Sequence, residues 1–175
     1  MPKPLFTKHI DDKNLSQNPI EVPQKILTDI DFMSRAREVS ARSGCIRKES
    51  KFGAIAVKNG LILASGWNGP VGNIPPCEAS GKCIRQVMKV PSGTKREVAH
   101  CICAEQRVIC YSARDGISVE GATMYVTGLP CVMCMRLIVA SGFAKVIYED
   151  KYLNEKSYEK AKLAGLELVR LTAKS

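Results

Sequence analysis

Residues 122–142 read ATMYVTGLPCVMCMRLIVASG, and this stretch decides how the chain folds. Ala122–Thr127 is a short run rich in β-branched and aromatic residues, which predicts a strand. Pro130 stands where a helix begins, since the first helical N–H has no intrahelical partner to lose. Val132–Ser141 carries that helix on to Gly142, which ends it. The same order recurs downstream. Lys145–Tyr148 predicts a strand, Glu155–Ala164 a helix closed by Gly165, and Leu166–Leu171 a final strand. Upstream, Ala104–Arg114 is helical and stops at Gly116. Alternation of this kind implies parallel strands joined by helical crossovers.

The N-terminal half opens differently. Thr28–Ser43 predicts a helix, capped by Thr28 or Asp29, with Ile30, Met33, Ala36 and Val39 near one face and Gly44 as its stop. Phe52–Val57 and Leu61–Trp67 are strand-like, and Asn59-Gly60 between them is a strong type I′ hairpin signal. A hairpin feeding a run of crossovers makes an α/β fold with a mixed sheet. Trp67–Gly93 lacks periodicity and reads mainly as loop, with one helical turn around Ile84–Met88. Lys82, Arg85, Lys89, Lys95 and Arg96 make this region basic, which either attracts a phosphate or solvates the loop.

At 175 residues and 45% apolar content the chain suits one packed domain, expected over residues 25–175. Residues 1–24 are polar, carry Pro2, Pro4 and Pro23, and predict a flexible lead-in. They lack the apolar core of a signal peptide, and no run is long enough to span a membrane, so a cytoplasmic protein is expected. The net charge of +9 favours anionic partners such as nucleotides. Four Phe, five Tyr and one Trp, without a dense basic run, make a poor base-stacking platform and place nucleic acid behind a small nucleotide as the partner. Thiols stay reduced in a cytosolic setting, so eight cysteines point to metal or catalysis and not to disulfides.

Two short motifs carry the chemistry: Cys103-Ala104-Glu105 and Pro130-Cys131-Val132-Met133-Cys134. Each sits at a helix start, where free amides and the macrodipole stabilise thiolates. A Cys-x-x-Cys pair on a first turn can face one ion, and a third thiolate from another helix start leaves a tetrahedral zinc with one open position. Glu105, two residues after Cys103, need not be a ligand and is free to move protons.

Cys-Ala-Glu followed by Pro-Cys-x-x-Cys resembles the signature of the zinc-dependent cytidine/deoxycytidylate deaminase superfamily. The resemblance extends from about Thr28 to Leu171. It looks closest to the dCMP deaminase branch through Asn59-Gly60, Gly66-Trp67-Asn68-Gly69, Ala104-Glu105-Gln106, Ala113-Arg114-Asp115-Gly116 and Glu120–Thr127. It implies a three-layer α/β/α fold with a mixed five-stranded sheet. It implies a hydrolase that converts dCMP to dUMP and ammonia, with Cys103, Cys131 and Cys134 on the catalytic zinc and Glu105 as the proton shuttle. Substrate contacts fall on Asn68, Arg114 and Ala104, though Asn68 also suits a plain turn and Arg114 a helix end. A homo-oligomer is implied as well. A second, structural zinc is implied on Cys45, Cys77 and Cys101, with Cys83 or His100 completing the set and pinning the long loop 67–102. Cys110 reads as a small core residue.

The chain departs from that branch in two places. Cys103 stands where the branch usually has His, and Pro70 follows Gly69 directly where Ser or Thr usually intervenes. Zinc with three thiolates carries a charge of −1, so a cation should offset it. Arg107, on the helix that starts at the metal, is the candidate, the alternative being a solvated helix residue. Three other activities stay open: deamination of a free nucleoside, base or modified pyrimidine; editing of RNA or single-stranded DNA; and an inactive zinc-binding module.

Overall fold

The computed structural model describes residues 27–91, 94–150 and 155–172, and the lead-in expected over residues 1–24 lies outside them. The first helix, α1, spans Asp29–Ser40. It starts there because Thr28 and Asp31 form a reciprocal capping box, the Thr28 hydroxyl accepting from Asp31 N at 3.3 Å and Asp31 accepting from Thr28 N at 2.9 Å. Strands β1 (Gly53–Lys58) and β2 (Leu61–Trp67) follow as the expected hairpin. Asn59 and Gly60 both take positive φ, 52° and 77°, as a type I′ turn requires.

The C-terminal half alternates as read from the sequence. Helix α4 (Ala104–Arg114) leads to β5 (Thr123–Gly128), α5 (Val132–Ala140), β6 (Lys145–Asp150), α6 (Glu155–Leu163) and β7 (Glu167–Arg170). The five-stranded sheet has the order β2-β1-β5-β6-β7. β1 is antiparallel to β2 and β5, whereas β5, β6 and β7 run parallel. This is the mixed sheet that the hairpin and the crossovers imply.

Period-2 alternation sorts the strand side chains into two cores. Ala54, Ala56, Met124, Val126, Val146 and Tyr148 face α4, α5 and α6 with Val108, Met135, Ile138 and Ala161. Ile55, Val57, Tyr125 and Ile147 face α1, where Phe32, Met33 and Ala36 meet them. The result is three layers, helix on sheet on helix.

The long connection is more structured than its sequence suggests. It holds β3 (Gly69–Pro70), two single-turn helices, α2 (Cys77–Ser80) and α3 (Ile84–Val87), a 3₁₀ turn at Arg96–Val98, and β4 (Cys101–Ile102). β3 and β4 pair antiparallel, Gly69 opposite Ile102 and Pro70 opposite Cys101. The loop therefore leaves and re-enters the domain at one point, directly before Cys103.

Candidate active site

Helix starts place the three thiols. Cys103 is the N-cap of α4, with φ −72° and ψ 160°, and Cys131 is the N-cap of α5, with φ −69° and ψ 166°. Cys134 lies one turn into α5 and is fully buried. The Cys103 cap is fixed by Gln106, whose Oε1 accepts from Cys103 N at 2.8 Å. α4 reaches this position because it packs backbone to backbone on β2. A Cβ on Gly66 would lie 2.5 Å from Ala104 O and 2.8 Å from Val108 N.

The sulfurs of Cys103, Cys131 and Cys134 all lie within 4.8 Å of one another, the single such group among the described residues. Cys131 and Cys134 Sγ are 3.4 Å apart. Thiols this close cannot all ionise unaided. Hydrogen bonds from Cys103 and Cys134 hold Cys131 as thiolate, while Cys103 and Cys134 are pushed up. A divalent cation would relieve that repulsion, and soft sulfur donors at helix N-termini suit zinc. Glu105, on the first turn of α4, is buried beside them. Burial lifts its carboxyl to about 7, and the Cys131 thiolate adds to the effect.

These groups open onto a cavity of about 1270 Å³ that also reaches Asn68 and Ala104. Asn68 is heavily engaged: its Oδ1 accepts from Phe52 N at 2.7 Å and its Nδ2 donates to Ser50 O at 2.8 Å. Arg114 does not line this cavity. It sits at the far end of α4, roughly 16 Å from Cys103 by helix rise. There it pairs with Asp115 at 2.6 Å and stacks on Tyr111.

Arg107 departs from the expected role. It is buried, and its donors go to Trp67 O (2.9 Å), Gly69 O (3.0 Å), Pro70 O (2.8 Å) and Tyr111 Oη (2.9 Å). It clamps the exit of β2 and does not face the catalytic sulfurs, and its charge acts on the Cys101 thiol. Arg96 is the guanidinium that reaches the trio, with Nη1 3.2 Å from Cys103 Sγ. Sequence offered only a basic loop as a signal for it.

The remaining cysteines gather at the other end of the cavity. Cys45, Cys77, Cys83 and Cys101 each perturb at least one of the others, and Cys77 is pushed up to about 11 by burial and then by Cys83, Cys101 and Cys45. Gly44 explains the meeting of Cys45 and Cys77. Without a Cβ it lets Pro76 lie against it, and Glu78 N donates to Gly44 O at 3.0 Å. His100 is exposed on the same cavity wall, whereas Cys83 is buried and Cys45, Cys77 and Cys101 are half-buried. This quartet is looser than the catalytic trio. Cys110 is exposed on α4, which corrects the expectation of a core residue.

The chain matches the cytidine and deoxycytidylate deaminase zinc-binding region over residues 27–150. Deoxycytidylate deaminase of Enterobacteria phage T4 is 33% identical over 65% of this chain and 73% of the relative. That of Mycobacterium phage D29 is 35% identical over 67% of this chain and 90% of the relative. The solved dCMP deaminase of cyanophage S-TIM5 in apo form superposes with a TM-score of 0.63 at 28% identity, covering 82% of this chain and 96% of that one. Its complex with dCMP and dUMP gives 0.64 at 28% identity, covering 80% and 93%. Motif, fold and relatives agree: the chain belongs to the cytidine and deoxycytidylate deaminase family.

Proposed function

We propose that the chain hydrolyses the exocyclic amine of dCMP, giving dUMP and ammonia. The observation that carries the reading is Glu105, buried beside three clustered thiols on a cavity of about 1270 Å³, ample for a nucleotide. An inactive zinc module would have no use for a buried carboxyl held near neutrality. The family relatives named as acting on dCMP support the substrate.

Cys103, Cys131 and Cys134 would hold zinc, which supplies Lewis acidity to make water a nucleophile near neutral pH. Glu105 takes the proton released on attack and delivers protons to the ring nitrogen and to the departing ammonia. With its carboxyl at about 7 it can do both. The helix N-termini at Ala104 and Val132 keep the site polar, while the cores beneath α4 and α5 keep it rigid.

A second zinc on Cys45, Cys77, Cys83 and Cys101 is the reading that best accounts for four thiols collected from three separate segments. We also assign a homo-oligomer. Met133 and Leu137 stand exposed on one face of α5, as a subunit contact requires. Arg114, outside the cavity of its own chain, reaches substrate only where a second copy brings it there. Sedimentation as a monomer at working concentration would remove both statements.

Ammonia release from cytosine, cytidine, dCMP, CMP and dCTP tests the substrate. Turnover of dCMP well above the others is expected. Cytidine or cytosine turned over as well as dCMP would overturn the nucleotide assignment. None of the described helices is long and apolar enough to cross a membrane, and a cytoplasmic enzyme is the setting we infer.

A further inference from the structure

We propose that Arg96, held by an Arg85 clamp, is the cation paired with Cys103: it offsets the third thiolate of the catalytic centre by donating to Cys103 Sγ. The inference rests on the reading that Cys103, Cys131 and Cys134 hold the catalytic metal. A divalent ion with two thiolates and an imidazole is neutral, whereas three thiolates leave it at −1. An arginine stays protonated throughout the working range and donates without exchanging its proton. Such a donor to a ligand sulfur withdraws electron density from it and fixes its direction.

The geometry is specific. Arg96 Nη1 lies 3.2 Å from Cys103 Sγ. The turn that presents Arg96 is itself held in place. Lys95 takes φ 40° and ψ 54°, a left-handed conformation that a lysine adopts only where its surroundings enforce it. Arg85 enforces it, donating to Pro91 O at 2.7 Å, Thr94 O at 2.6 Å and Lys95 O at 2.8 Å. Arg85 stands on α3 two residues after Cys83, the N-cap of that helix, so one short segment carries both a member of the cysteine quartet and the clamp on the turn that presents Arg96. Arg96 is thus a positioning residue that acts through Cys103. It also lines the cavity, so a contact to the substrate's anionic end is the competing role.

The test uses the full chain loaded with cobalt(II), whose sulfur-to-metal charge-transfer absorption reports the donor strength of the thiolates. Absorption from the second cluster is removed by subtracting the spectrum of Cys134→Ala, in which the catalytic trio is broken. In Arg96→Gln the catalytic band should move to longer wavelength. kcat for dCMP should fall about 10–100-fold, as for loss of other outer partners of metal ligands, with KM unchanged. Arg96→Lys, which keeps the charge but loses the fork, should fall between. In a Cys103→His background, Arg96→Gln should add no further shift or loss, because the partner sulfur is gone. An unmoved band in a loaded, folded Arg96→Gln overturns the inference. So does a raised KM at constant kcat, or an equal loss in the Cys103→His background. A wild-type chain without a catalytic thiolate band would instead sink the metal-centre reading, and this inference with it.

Discussion

A buried guanidinium has to spend every donor it carries, and Arg107 shows how that binds a site together. Its partners are the carbonyls of Trp67, Gly69 and Pro70 and the Tyr111 hydroxyl. Its charge also lies 4.8 Å over the Trp67 ring. Arg107→Met would leave those carbonyls unpaired in a dry place. Hydrogen bonds from charged groups contribute about 1.5–3 kcal/mol each, and a loss of about 3 kcal/mol is expected, read as a lower midpoint in urea unfolding. An unchanged midpoint would mean that the clamp is idle. The contrast with Cys103, Glu105, Cys131 and Cys134 is instructive. Those four were legible in the sequence because their spacing relative to helix starts is a local property. The partners of Arg107 and Arg96 were not, because they depend on where a long connection returns. Spacing placed Arg107 beside the metal by sequence distance, and packing turned its side chain the other way.

At the scale of elements, the site depends on how closely α4 approaches the sheet. Gly66 makes that approach possible, since any side chain there would collide with the backbone of Ala104 and Val108. Gly66→Ala should therefore destabilise the fold by about 1–3 kcal/mol, the usual cost of overpacking. It should also weaken zinc retention against a chelator, because the start of α4 carries Cys103. A variant that keeps both stability and metal would show that α4 can shift without harm. The hairpin, the Thr28 cap of α1 and the alternation of β5 to β7 were all readable, each through strong local chemistry: Asn59-Gly60, a Thr or Asp at the helix start, and Gly142 or Gly165 after a periodic run; the reciprocal bond from Asp31 came only with the structure. The pairing of β3 with β4 was not. A strand of two residues has no periodicity to detect, and its partner lies some thirty positions away.

For the whole molecule, two groups of cysteines meet across one cavity, one tight around Glu105 and one looser at the end of α1 and the long connection. Elemental analysis of the reduced, freshly purified protein should give two zinc ions per chain. One ion that cannot be raised to two by added zinc would dissolve the second site and leave the long connection held by the β3–β4 pair, Arg107, the Arg85 clamp and the Glu78–Gly44 hydrogen bond. With two ions found, removing the one held by Cys45, Cys77, Cys83 and Cys101 should loosen the connection and so reach the catalytic centre through Arg85 and Arg96. The account as a whole stands on Glu105 acting on a cytosine nucleotide. Its most direct test is ammonia release from dCMP by zinc-loaded wild-type protein and Glu105→Gln, with metal content measured on the same samples. The account predicts steady release by the wild type and a loss of about 10²–10⁴-fold or more in the variant at equal zinc. Release by Glu105→Gln at the wild-type rate, or none by fully loaded wild type, would contradict it.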